Sequence, residues 1–200
     1  MAYKDIRPYK DTLGGANWVR WAPMKASETF EGGELIYIDS SGYAATLPKD
    51  GTQALLADIS GTGGICGVAI NGPGAAASAA VPTARAWVNP DTGSAYATGD
   101  KIYYHPAQQG NLFIAPALVA GGASGKSTAV SGAARGIVYE LTYESASTPD
   151  AGWGVELTAG VTGTDILARV WDVLDSNYLP IAASASTGVW VVFEIVTSII

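Results

Sequence analysis

Glycine turns alternate with short apolar runs along most of this chain, a pattern that predicts strands joined by tight connections. Two stretches carry it most clearly, 30–38 (FEGGELIYI) and 96–104 (YATGDKIYY). Set against each other, they match Gly33 with Gly99, Glu34 with Asp100, Ile36 with Ile102 and Tyr37 with Tyr103. Both then turn at a glycine, Gly42 or Gly110, and enter a second apolar run at 43–47 or 112–114. Each crosses a loop of small residues and reaches a glycine-led strand at Gly67 or Gly136. Shared order and similar spacing predict one β unit used twice, over 30–71 and 96–143. The period of two puts Ile36, Ile38, Ile102 and Tyr104 on a core face, with Leu35, Tyr37, Lys101 and Tyr103 opposite.

The remaining stretches read in the same terms. Residues 72–80 are a small-residue connector, followed by a strand at 84–88 and a turn at 89–93; 120–134 is a second, longer small-residue loop. A strand is expected at 153–158 after the turn Thr148-Pro149-Asp150-Ala151-Gly152, and another at 189–196. Between them, polar residues at 165, 169, 172 and 176 have helical spacing, and Thr164 or Asp165 can cap a first turn. This predicts a helix over 165–175, with a β-hairpin turning at Asp175-Ser176-Asn177 as the alternative. Residues 1–29, interrupted by Pro8, Gly14-Gly15 and Pro23, read as an extended N-terminal arm. The expected fold is mainly β, sandwich- or barrel-like, with a duplicated module, this arm and one short helix. Its expected divisions are the arm, a β domain over 30–158, and a helix plus strand over 159–200 that packs on or extends the β domain.

Charge refines the picture of the arm. Only 14% of residues are charged and the net charge is −7, which argues against broad nucleic-acid binding, since that needs a basic footprint. Residues 1–25 are nevertheless net positive, carrying Lys4, Arg7, Lys10, Arg20 and Lys25 against Asp5 and Asp11. Tyr3, Tyr9, Trp18 and Trp21 are interleaved with them. Aromatic residues and arginine anchor interfaces, so Tyr3, Lys4, Arg7, Tyr9, Lys10, Trp18, Arg20 and Trp21 form the candidate contact set toward a partner or a sister subunit. The alternative is that Trp18 and Trp21 fold back on their own domain. No apolar signal core follows the charged start, and the apolar segment at 189–200 is too short to span a bilayer and carries Glu194. No membrane association is therefore expected, and the protein should be soluble where it is made.

Catalytic constellations are not apparent in the sequence. Gly121-Gly122-Ala123-Ser124-Gly125-Lys126-Ser127-Thr128 approaches a phosphate-binding loop, but Ala120 stands where the motif requires its first glycine. His105 is the only histidine, which rules out a multi-histidine metal site, and no carboxylates stand at EF-hand spacing. Cys66, the single cysteine, cannot form an internal disulfide and reads as a buried, inert thiol. No enzyme activity, cofactor or metal is expected. Six tryptophans and ten tyrosines leave open a sugar-binding or adhesive β module on a virion or cell surface.

One resemblance bears on function. The run Gly33-Glu34-Leu35-Ile36-Tyr37-Ile38, the turn at 39–42, and Ile65-Cys66-Gly67-Val68-Ala69 after small residues together resemble the head-decoration, or cement, proteins of tailed bacteriophages. The second copy at Gly99-Asp100 and Gly136-Ile137 extends the likeness over about 30–156. The resemblance implies a β-rich structural protein, often trimeric, on the outer surface of a virion. There it would bind the major capsid protein and clamp neighbouring coat subunits.

Overall fold

The computed structural model describes residues 6–11, 19–28, 30–47, 65–72, 89, 91–92, 96–118, 129–144, 152–157 and 167–196. Its strands are β1 (Arg7–Asp11), β2 (Arg20–Pro23), β3 (Leu35–Ile38), β4 (Ala44–Thr46), β5 (Ile65–Ala69), β6 (Lys101–Pro106), β7 (Asn111–Leu118), β8 (Val138–Glu144), β9 (Gly152–Glu156), β10 (Leu167–Leu174) and β11 (Trp190–Ile195). Helical structure among the described residues is confined to one 3-10 turn, Gly132–Ala134. No helix among them is long and apolar enough to cross a membrane.

Two sheets result. The first runs β2-β6-β5-β3-β4, and its ends meet where Met24, just after β2, forms a parallel bridge with Ala44 of β4. The second runs β1-β7-β11-β10-β8-β9 and closes on itself, because β9 also pairs in parallel with β7. Leaving β1 aside, both are five-stranded rings with the same connectivity. In chain order the strands of each ring pair first with fifth, fifth with fourth, fourth with second and second with third, all antiparallel; third then meets first in parallel.

The registers superimpose as well. Ile36 faces Gly67 as Tyr139 faces Ala168; Ala69 faces Tyr104 as Val170 faces Phe193; Ala22 faces Ile102 as Ala115 faces Val191. Even the turn entering the second strand repeats. Gly33 donates its N–H to the Ala69 carbonyl and Ala69 donates to Glu34, both at 2.8 Å, while Gly136 donates to Val170 at 2.8 Å and Val170 donates to Ile137 at 2.9 Å. Gly33 and Gly136 sit at φ 99° and 79°, the left-handed region that the third position of such a turn requires. The first unit thus spans 20–106 and the second 111–195.

Packing explains why both sequences adopt one ring. Side chains alternate in and out along each strand, and the inward set of the first unit is Ala22, Met24, Ile36, Ala44, Ala69, Ile102 and Tyr104. The equivalent positions in the second are Ala115, Ala117, Tyr139, Val155, Val170, Val191 and Phe193. Large and small exchange places: Met24 beside Ala44 becomes Ala117 beside Val155. Total volume is roughly kept while identity is lost, which a close-packed interior tolerates. A shared core joins the units, since Leu35, Leu47 and Val68 on the outside of the first ring pack into the cluster that fills the second. Ile6, fully buried, lies in the same cluster and donates its N–H to the Gly33 carbonyl.

The expected mainly β, barrel-like fold with a duplicated module is present, and two elements of the expectation are corrected. The described part of 165–175 is strand β10, not helix, and the chain turns after it at Asp175 as in the hairpin alternative. A bulge between Val170 and Asp172 inserts one residue into β10, so the exposed positions change spacing midway and imitate a helical period. The stretches 30–38 and 96–104 carry β3 and β6, second and fifth strands of one ring, so the repeat the topology displays is not the pairing that their sequences suggest. Within 1–29 the described extended segments are β1 and β2, one in each sheet. The expected strand at 84–88, the phosphate-loop-like run at 121–128 and the Cys66 side chain lie outside the described residues.

Candidate interaction surface

The first strand of each ring has an inner edge, bonded to the fifth strand, and an outer edge facing away from it. Met24 donates to Asp100 at 2.8 Å, and Ala117 donates to Val189 at 3.0 Å. Backbone groups alternate in direction, so 20, 22 and 24 face β6, whereas 19, 21, 23 and 25 face outward. By the same count 112, 114, 116 and 118 face outward on β7. Pro23 and Pro116 occupy equivalent outward positions, where a missing N–H leaves no ladder bond unmade.

On β7 both halves of the outer edge are filled. β9 takes the half at Ala117 and Leu118, and β1 takes the half at 111–114, placing Arg7 opposite Ile114. A bulge between Pro8 and Lys10 falls at Tyr9, whose ring is exposed. Arg7 then reaches across to β11. Its guanidinium carbon lies 4.9 Å from the Trp190 ring centroid and 5.3 Å from that of Tyr178, and it donates to the Tyr178 hydroxyl at 3.0 Å. The two rings stack at 5.2 Å.

Local chemistry holds this platform in place. The Asp175 carboxylate accepts the N–H groups of Asn177 and Leu179, closing a turn in which Tyr178 sits at φ 62°. A left-handed tyrosine costs about 1–2 kcal/mol, which the stacked ring and the Arg7 contact offset.

On β2 only half of the outer edge is filled by described residues. β4 takes the end at Met24 through the bridge to Ala44, and Lys25 donates to the Ala44 carbonyl at 3.0 Å. Among the described residues no strand pairs with the half at 19–21. Val19 and Trp21 are 48% and 55% exposed, and Arg20 is exposed between them. Lys101 places its ammonium 5.1 Å from the Trp21 ring centroid. Beside it Asp100 is held below the usual carboxylate range by the N–H of Ala97, and burial, then a hydrogen bond to Asp91, pushes the Tyr103 phenol up.

The structure therefore divides the sequence-derived contact set. Arg7 and Tyr9 stand on the second unit, and Arg20 and Trp21 on the first. Lys10 lies in β1 opposite Leu112, with its side chain outside the described residues, as are Tyr3, Lys4 and Trp18 entirely. Tyr178, Trp190 and Lys101 complete the two sites and were not singled out in sequence, because separations of 171 residues for Arg7 and Tyr178 leave no periodic trace. Among the described residues no cluster of three or more His, Cys, Asp or Glu could hold a metal ion.

No protein-family model, curated protein or solved structure matches this chain. The internal repeat consequently supplies the frame of reference that relatives would otherwise provide.

Proposed function

We propose that this protein is a structural virion component, a decoration or cement protein that binds the major capsid protein on the outer surface of a phage head and stabilises it, acting as a homotrimer. The observation that carries the reading is the outer edge of β2, where no strand among the described residues pairs with the half at 19–21 and Val19, Arg20 and Trp21 stand exposed. Exposed strand edges with aromatic anchors suit recognition by surface fit and strand addition, and repeated sites on a lattice multiply weak contacts. The motif resemblance at 33–38 and 65–69 supports the same reading.

The test mixes the purified chain with expanded capsids assembled from the coat protein of the same particle, and follows co-sedimentation and resistance to heat. Saturable binding and a higher capsid melting temperature are expected, together with trimer-sized particles by light scattering. A chain that stays in the supernatant at micromolar concentration overturns the proposal. Binding to polysaccharide instead, read as quenching of tryptophan fluorescence, would favour the adhesive-module reading.

A further inference from the structure

We infer that the outer edge of β2 at 19–21 is a docking site for an extended, acidic segment of a partner chain, added antiparallel to β2 as β1 is added to β7. The inference stands on the internal repeat and not on the capsid reading. Trp21 and Ile114 are equivalent positions, facing Tyr103 and Val192 of their rings' fifth strands, and Val19 lies where Leu112 lies. In the second unit that half-edge is filled by β1, with Arg7 opposite Ile114 and Lys10 opposite Leu112. The first unit offers the same outward backbone groups, beside side chains that are about half exposed.

Charge selects the occupant. Arg7 settles on Trp190, and the position equivalent to Trp190 in the first unit is Lys101. A strand bearing arginine at that point would bring a cation against Lys101. β1 of a second copy is therefore disfavoured, and an acidic residue is favoured, since it could meet the Lys101 ammonium above the Trp21 ring. Self-pairing of β2 between two copies with 19 facing 21 would place Arg20 opposite Arg20, a like-charge pair. The partner strand thus has defined chemistry: extended, apolar on its buried side, and acidic at the position where β1 carries Arg7.

The experiment uses the full chain labelled with nitrogen-15 and two synthetic peptides. One has the sequence of residues 6–11, and the other has that sequence with Arg7→Glu and Lys10→Glu. Binding is read at the amides of Val19 and Trp21 by chemical shift and by hydrogen exchange. The acidic peptide is expected to shift both amides and slow their exchange, with at least tenfold tighter binding than the parent peptide. In the Lys101→Glu chain the preference is expected to reverse. Equal binding of the two peptides, or none by either, overturns the inference. Two further outcomes also overturn it: protection of these amides in the free chain at every concentration, which would show that the chain's own residues cover the edge, and protection that grows with concentration, which would show that a second copy does.

Discussion

The two units share a ring, a register and a turn, yet only four of the equivalent positions noted along their strands and turns carry the same residue: Ala22 and Ala115, Pro23 and Pro116, Gly33 and Gly136, Gly99 and Gly188. Of the glycines, Gly33, Gly99 and Gly136 sit at positive φ, and a Cβ at Gly188 would lie 2.3 Å from Val173. Everywhere else the demand is for volume or polarity, and different residues satisfy it. At the position where His105 faces Val68, the second unit has Glu194 facing Arg169, with Glu194 accepting the Gly110 N–H at 2.9 Å. The comparison teaches that this fold is specified by inward volume and turn geometry, while the outer surfaces are free to diverge. One outer edge is a closed seam, and on the other no strand among the described residues pairs with the half at 19–21.

The sharpest way to break the equivalence is at Gly67. A Cβ there would lie 1.9 Å from the His105 carbonyl oxygen, because β5 is bulged against β3 and pressed toward β6. Gly67→Ala is expected to destabilise the chain by about 3 kcal/mol, as over-packing against backbone does, whereas Ala168→Gly at the equivalent site costs about 1 kcal/mol. Urea midpoints measure both, and equal effects would remove the asymmetry. Next in size, Met24→Ala should cost about 2 kcal/mol through the cavity it leaves. Adding Ala44→Val recreates the Ala117 and Val155 arrangement and should recover about 1 kcal/mol, a coupling read from the double-mutant cycle.

Smaller effects test the seam. Arg7→Ala removes the cation from the Tyr178 and Trp190 rings and is expected to cost about 1 kcal/mol, with faster amide exchange at Leu112 and Ile114 but not at Val19 or Trp21. The smallest expected change is in pH dependence. Burial holds the His105 imidazole below its usual range, so the unfolded chain binds more protons there and stability declines as pH falls through the ordinary histidine range. Above that range the contribution is fully present. His105→Gln should flatten this part of the stability profile, and an unchanged slope would assign it elsewhere.

How much of this was legible beforehand depends on which interactions are local. Glycine turns and apolar runs located β3 through β5 and β6 through β9 to within a few residues, and Ile36, Ile102 and Tyr104 do fill the core of the first unit. Leu35, expected on the opposite face, is also fully buried, because that face meets the second unit through Ile6 and Val68. The helix expected over 165–175 failed on a single bulge, which broke the period of two. The repeat was sensed but set on the wrong partners. β3 and β6 share Gly, acid, Ile and Tyr although they hold different places in the ring, whereas the true counterparts differ in large and small residues. Of the candidate contacts, Arg7 and Trp21 prove to be paired with groups that no local pattern could supply.

One consequence of the strap formed by β1 concerns synthesis. Arg7 pairs with Ile114, so β1 has no mate until more than a hundred further residues have been translated. At about 5–20 residues per second, the nascent β1 waits on the order of 5–20 s before the second ring can receive it. The first ring can assemble during that interval, and the closing of the seam between β1 and β7 becomes the step that joins segments translated far apart in time.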